Sequence, residues 1–318
     1  MNLLVTGGCG FIGSNFINYW AKKHKDDFIA NIDKLTYASS LSNIDMFVCD
    51  ASNYMFCNDD ICDTEAMGRF VSTFKIDTIV NFAAESHVDR SIDASNEFVK
   101  SNFMGVHSLL MACMEKGIKK FIQISTDEVY GDLPLNTEES FKENYPLKPN
   151  NPYSATKASA ELLIRSWIKT YDFPAVITRC CNNYGPNQFP EKFFPVMINK
   201  ALNNEQLPIY GDGENVREWI YVDDHCSAIE AVIMDGLIGE SYNVGTGHEI
   251  SNIKMARTIL DILGKPETLL SFVDDRLGHD RRYSVCSEKI NTELGWIPSF
   301  PFEVGLDKTI EYYRLKTK

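Results

Sequence analysis

Three things are scarce in this sequence, and each shortage excludes a class of protein. No run of eighteen apolar residues occurs, the length a helix needs to cross a bilayer, so no membrane span is expected. Positive charge is short: 31 Lys and Arg face 44 Asp and Glu, a formal net charge of −13. A polyanion is repelled by most of such a surface, which excludes nucleic acid as a partner. Metal-ligand spacing is missing as well. The nine cysteines contain no Cys-x-x-Cys and the six histidines no His-Glu-x-x-His, so no metal is expected. Scattered cysteines in odd number suit free thiols in a reducing compartment, and Met1-Asn2-Leu3-Leu4-Val5-Thr6 turns polar too early for a secretory leader. A cytoplasmic location follows as the expectation.

What is present is a regular alternation. Short β-rich runs at Asn2–Thr6, Phe28–Asp33, Met46–Cys49, Thr78–Ala83, Phe121–Thr126 and Ala175–Arg179 read as strands. Several are near-continuous apolar runs, as in parallel strands covered on both faces. Segments of helical length, Gly13–Lys23, Asp63–Phe74, Asn96–Lys116 and Tyr153–Tyr171, separate them. This rhythm predicts an α/β fold with a doubly wound parallel sheet of Rossmann type. Beyond residue 180 prolines and glycines crowd Tyr184–Pro195 and Leu207–Gly213 and the rhythm breaks. The expected division is a dinucleotide-binding domain over 1–179, with a return segment at 219–247, and a smaller α/β substrate-binding lid mainly over 180–318.

The first strand runs into Gly7-Gly8-Cys9-Gly10-Phe11-Ile12-Gly13 and then a helix. Glycine at positions 7, 10 and 13 lets the turn close and lets backbone approach a pyrophosphate at the positive helix end. Asp33 follows Gly13 by twenty residues, at the end of the second strand. A carboxylate there accepts hydrogen bonds from both adenosine ribose hydroxyls and repels a 2′-phosphate, which points to NAD rather than NADP.

The reacting groups are harder to isolate. About one Tyr-x-x-x-Lys pair is expected by chance in a chain of this composition, and three occur: Tyr19/Lys23, Tyr153/Lys157 and Tyr312/Lys316. Only Tyr153 opens a helix just downstream of a strand end, where ligands of open α/β sheets bind. Lys157, one turn on, together with the positive nicotinamide ring, is expected to lower the phenol's pKa so that it can take an alcohol proton while a hydride leaves the same carbon. Beside them the strand end Thr126-Asp127-Glu128 carries two carboxylates in a row. Two close carboxyls do not both ionise easily, so one stays protonated, and an acid beside a base is what elimination of water β to a ketone needs.

With these residues in view, the whole chain resembles the nucleotide-sugar 4,6-dehydratases of the extended short-chain dehydrogenase/reductase family, and most of all those acting on dTDP-glucose. The likeness runs through Thr6-Gly7-Gly8-Cys9-Gly10-Phe11-Ile12-Gly13, Asp33-Lys34-Leu35-Thr36-Tyr37-Ala38, Ala83-Ala84-Glu85-Ser86-His87-Val88-Asp89-Arg90-Ser91 and Thr126-Asp127-Glu128-Val129-Tyr130-Gly131-Asp132. It continues in Asn182-Asn183-Tyr184-Gly185-Pro186, Phe189-Pro190-Glu191-Lys192, Val216-Arg217-Glu218-Trp219 and Asp275-Arg276-Leu277-Gly278-His279-Asp280. The resemblance implies a hydro-lyase that makes a 4-keto-6-deoxy sugar nucleotide from a dTDP- or UDP-linked hexose without net use of NAD. Tyr153, with Lys157 and with Thr126 on the C4 oxygen, would oxidise C4. Glu128 would remove the C5 proton while Asp127 protonates the departing C6 hydroxyl, and the hydride would return to C6.

The implied cofactor residues are Gly7, Gly10, Phe11, Ile12, Gly13, Asp33, Lys34, Leu35, Thr36, Asp60, Ile61, Phe82, Ala83, Ala84, Glu85, Ser86, Ser101, Tyr153, Lys157 and Asn183. The implied substrate residues are Ser86, Thr126, Asp127, Glu128, Asn182, Lys192, Phe193, Pro208, Ile209, Tyr210, Arg217, Asn252, Asp275, Arg276 and His279. Cys9, Phe193 and Leu277 depart from the family pattern, the last two beside the nucleotide pocket. A homodimer built on the helices Asn96–Lys116 and Tyr153–Tyr171 is also implied. Two other readings compete: a nucleotide-sugar 4-epimerase, which does not need the Asp127–Glu128 pair, and a non-catalytic NAD-binding regulatory subunit, which needs only the glycine loop and Asp33.

Overall fold

Apolar strands separated by amphipathic helices bury both faces of a sheet only when the helices cross over it, and the chain does this six times. The computed structural model describes residues 1–114 and 116–316. Its first half runs β1 (Asn2–Thr6), α1 (Phe11–Lys23), β2 (Phe28–Ile32), α2 (Met46–Cys49), β3 (Tyr54–Cys57), α3 (Thr64–Thr73), β4 (Thr78–Asn81), α4 (Val88–Asp93), α5 (Ser95–Phe98), α6 (Gly105–Cys113), β5 (Lys120–Thr126), α7 (Pro152–Tyr171) and β6 (Ala175–Cys180). The second half runs β7 (Asn182–Tyr184), α8 (Phe193–Leu202), β8 (Leu207–Tyr210), β9 (Val216–Tyr221), α9 (Val222–Asp235), β10 (Ser241–Val244), β11 (Glu249–Ser251), α10 (Asn252–Leu263), β12 (Leu270–Val273), α11 (Glu288–Leu294) and α12 (Phe302–Lys316).

Seven strands form one parallel sheet in the order β10-β6-β5-β4-β1-β2-β3. This is the doubly wound arrangement the sequence predicts. Side chains alternate across it: Leu3 and Val5 enter one buried cluster with Phe16 and Trp20 of α1, while Leu4 enters another with Leu109 of α6 and Ile164 of α7. Strand order reverses between β1 and β4, so the carboxyl ends of β1, β4, β5 and β6 open a crevice where ligands of such sheets bind. A third cluster, with Tyr184, Phe194, Trp219 and Ile253, unites a three-stranded sheet (β11-β9-β7) and a two-stranded one (β12-β8) with α8, α10 and α12.

Two sequence expectations need correction. Met46–Cys49 is not a strand but the single-turn helix α2; Met46 and Phe47 stay exposed and only Val48 is buried. A four-residue apolar run has no period that separates the two states, and the strand beside β2 is Tyr54–Cys57 instead. The expected helix Asn96–Lys116 begins as α5, passes through a π-helical turn at Val99–Met104 and ends as α6 at Cys113; position 115 lies outside the described residues. Phe98 points inward before the π turn and Val106 and Leu109 after it, so the wider turn keeps the apolar face on the core.

Candidate active site

A cleft of about 540 Å³ runs along the carboxyl ends of the central strands. At its β1 end Gly7 sits at φ +66°, and a Cβ there would lie 2.7 Å from Ala83 Cα, so only glycine allows loop and β4 to touch. Gly13 likewise has Gly7 O 2.4 Å from the place of a Cβ. Helix α1 starts at Gly10 with no side-chain cap and no acid in its first turn, which leaves a positive terminus open to a phosphate. Asp33, almost fully buried, accepts from Cys9 N (2.9 Å), Leu35 N (2.8 Å) and Ser39 Oγ (3.1 Å). Two carboxylate oxygens offer about four lone-pair sites, so acceptor capacity remains for ribose. Glycine cradle, uncapped helix and fixed carboxylate together fit a dinucleotide. Lys34 lies 3.7 Å from Asp60 and reaches Ser101 at 3.4 Å along the same wall.

Helix α7 brings the reacting pair to the middle of the cleft. Asn151 and Ser154 form a reciprocal capping box with Pro152 at the first helical position, so the helix begins at a defined residue and Tyr153 and Lys157 project one turn apart. A buried ion pair anchors the helix: Arg179 of β6 meets Glu161 at 2.6 Å, and Glu161 also accepts from Ser125 of β5 at 2.5 Å. Removing one partner of such a pair typically costs about 3–5 kcal/mol, because a buried charge is left uncompensated. Sequence reasoning missed Glu161 and Arg179. The available signal was an arginine ending an otherwise apolar strand.

Strand β5 ends at Thr126, and a 3₁₀ turn over Asp127–Tyr130 swings both carboxylates to the cleft. Thr126 Oγ1 accepts from Glu128 N (3.3 Å) and donates to Asp127 Oδ1 (3.2 Å). It also hydrogen-bonds the Tyr153 phenol. Burial drives the Asp127 carboxyl well above the usual carboxylate range, and neighbouring Glu128 and Glu218 push the same way. That shift favours the protonated carboxyl, and its Oδ2 is buried without a hydrogen-bond partner. Glu128 is only partly buried and accepts from Asn151 Nδ2 at 3.3 Å. One carboxyl is fully buried and its neighbour partly exposed, both on the cleft wall.

Burial raises the pKa of the Tyr153 phenol well above the ordinary value, and Glu128 and Cys180 add to the rise. Lys157, held down to about 8 by burial, directs its Nζ to Ile124 O at 2.6 Å. The protein groups alone thus keep the phenol protonated; ionisation requires the further positive charge that an oxidised nicotinamide supplies when bound.

At the other end Asn182 Oδ1 and Arg276 Nε are buried without partners and line the cleft, as donors and acceptors for a polar ligand should. Lys192, Phe193, Pro208, Ile209, Tyr210, Arg217, Asn252 and His279 share that wall. Of the residues implied by resemblance, only two stay off the cleft wall. Leu35, at φ +55°, turns its side chain to solvent, and Asp275 binds His279 Nδ1 at 2.6 Å instead. Leu277 is 75% exposed and also off the wall, whereas Phe193 is on it. Among the clustered arginines, Arg281 pairs with Asp212 and Arg282 with Glu249, whereas Arg276, with Nη1 3.6 Å from Asp89, lines the cleft. Two buried supports were not foreseen. His225 Nδ1 meets Asn183 Oδ1 at 2.8 Å, and Glu218 accepts backbone N–H groups of Thr246, Gly247 and Val285. The first ties the Asn183 amide down so that Asn183 shapes the cleft floor.

Fold and site define a short-chain dehydrogenase/reductase of the extended, nucleotide-sugar type. The chain belongs to the GDP-mannose 4,6 dehydratase family, whose model matches residues 4–309. Among relatives, the low-salt glycan biosynthesis protein Agl12 of Haloferax volcanii is 50% identical over 98% of each chain. The dTDP-glucose 4,6-dehydratase 1 of Escherichia coli is 43% identical over all of this chain and 94% of that one. In structure, the dTDP-glucose 4,6-dehydratase of Streptomyces venezuelae with NAD bound superposes with a TM-score of 0.95 at 43% identity, over 99% of this chain and 97% of that one. A UDP-glucose 4-epimerase of Thermotoga maritima shares the fold (TM-score 0.92) at only 29% identity. The fold, the NAD-dependent 4,6-dehydratase activity and the lyase class implied by the sequence stand.

Proposed function

We propose that the chain converts dTDP-glucose to dTDP-4-keto-6-deoxyglucose and water, with NAD as a resident, recycled cofactor. The observation that carries this reading is a buried Asp127, its carboxyl pushed well above the usual range and one oxygen unpartnered, in the same cleft as Glu128 and Tyr153. Bound nicotinamide would supply two things, positive charge near the Tyr153 phenol and a place for the C4 hydride until it is given back at C6. The chain's residues do the rest. Thr126 holds the C4 oxygen and Tyr153 takes its proton. Once C4 is a ketone, the C5 proton is acidic; Glu128 takes it, and Asp127 protonates the C6 hydroxyl, which leaves as water. Glu128 then returns a proton to C5.

Lys192, Arg217 and Arg276 line the sugar-nucleotide end and would offset the diphosphate, and half-exposed Tyr210 would stack on the base. The Asp127–Glu128 pair speaks against a 4-epimerase, which has no use for it. The domain division proposed is a cofactor domain of 1–179 with a return at 219–247, supported by β10 joining the main sheet, and a sugar-nucleotide domain mainly of 180–318. Nine free thiols fit a cytoplasmic setting. Val99, Met104, Met111 and Leu162 leave an exposed apolar face on the helices that would pair two subunits.

Offered a panel of dTDP- and UDP-linked hexoses, the purified protein should form a keto product fastest from dTDP-glucose. Equal or faster turnover of a UDP-hexose would transfer the assignment to uracil, and C4 inversion without keto product would favour the epimerase. Sedimentation of the same preparation should give twice the 36.1 kDa chain mass; a species at the chain mass alone would remove the dimer.

A further inference from the structure

Three loops from distant parts of the chain meet at the rim of the cleft. Tyr37 lies on the loop after β2, Arg90 on α4 and Glu191 on the segment before α8. The Arg90 guanidinium sits 3.9 Å above the Tyr37 ring. It also grips Glu191 through both ends of its fork: Nη2 to Oε1 at 2.7 Å, Nη2 to Oε2 at 2.9 Å and Nε to Oε2 at 3.2 Å. The Tyr37 ring meets Phe189 edge-on at 5.3 Å and hydrogen-bonds Glu85. Tyr37, Glu85, Phe189 and Glu191 all line the cleft, while the side chains of Arg90 and Glu191 are nearly half exposed, which places the contact at the outer edge.

Each end of this bridge is tied to a binding group. The Tyr37 loop is held to Asp33 through Leu35 N–H and Ser39 Oγ. The Glu191 segment continues into Lys192, whose Nζ donates to Ser86 O at 2.8 Å. We infer that Tyr37, Arg90 and Glu191 form a clasp over the dinucleotide, with Arg90 as the positioning residue that joins its two halves and slows cofactor release. This rests on the proposed recycling reaction. Loss of cofactor between removal and return of the hydride would strand a half-processed sugar, so retention belongs to that chemistry. Solvent-exposed ion pairs add little to fold stability. The clasp therefore acts on opening of the rim rather than on folding, and its removal leaves a folded protein.

The full-length protein loaded with NAD, and its Arg90→Ala, Arg90→Lys and Glu191→Gln variants, are passed through a desalting column. Retained NAD is measured by chromatography after denaturation, and the dissociation rate by dilution into competing ADP-ribose. Loss of a bidentate pair and a cation–π contact should speed release about tenfold in Arg90→Ala. Arg90→Lys, which keeps the cation over Tyr37 but not the fork, should fall between it and wild type, and melting temperatures should coincide. Equal dissociation rates for Arg90→Ala and a wild type that makes keto product would overturn the clasp alone. A wild type that makes no keto product would overturn the clasp together with the reaction it serves.

Discussion

Glu128→Gln oxidises its sugar and then stalls. Reduced-nicotinamide absorbance rises on mixing with dTDP-glucose and persists, while release of keto-deoxy product falls by about 10²–10⁴, the usual contribution of a positioned general base. Glutamine keeps the size of the side chain and an oxygen to accept from Asn151, so the local fold survives. The substitution also removes a carboxylate that raises the Tyr153 pKa, so oxidation at C4 should run at least as fast as in wild type. Stopped-flow absorbance with quenched-product analysis separates the two phases. Product release at the wild-type rate would remove Glu128 from the role of C5 base.

Tyr153→Phe fails one step earlier. No reduced nicotinamide should accumulate, and the rate of its appearance should drop by about 10²–10⁴. The phenylalanine ring retains the edge-on contact with Phe98 and the buried position on α7, so the fold and melting temperature should hold. Because burial opposes ionisation of this phenol, the enzyme depends on charges close by. Lys157, at about 8, is still largely cationic at pH 7 and loses its proton as pH rises through that value, so the oxidation rate of wild type loses that support above it. A full rate of nicotinamide reduction in the phenylalanine variant would contradict the assignment.

The parts of the site that lie close together in the chain were legible in the sequence. Gly7 to Gly13 followed by Asp33 could be read because the motif's strand, turn and helix are contiguous. Tyr153 and Lys157 could be read because one helical turn fixes their relation. Thr126-Asp127-Glu128 was legible as a cluster, but strand alternation alone would have sent its carboxylates to opposite faces, and only the 3₁₀ turn after β5 converges them. What the sequence hid depends on distant pairing. Glu161 with Arg179, His225 with Asn183 and Glu218 with three loop N–H groups join residues 18 to 67 positions apart. Arg281 and Arg282 look like anion ligands until Asp212 and Glu249 are seen to neutralise them. Met46–Cys49 failed for a different reason, since four apolar residues are too few to carry a period.

The reaction turns on a proton leaving and re-entering C5 while the hydride stays within the molecule. Turnover of dTDP-glucose in D₂O, with the product examined by mass spectrometry and NMR, tests this directly. A single deuterium at C5 and none at C6 is the predicted result. A product without label at C5, or with solvent deuterium at C6, would contradict it.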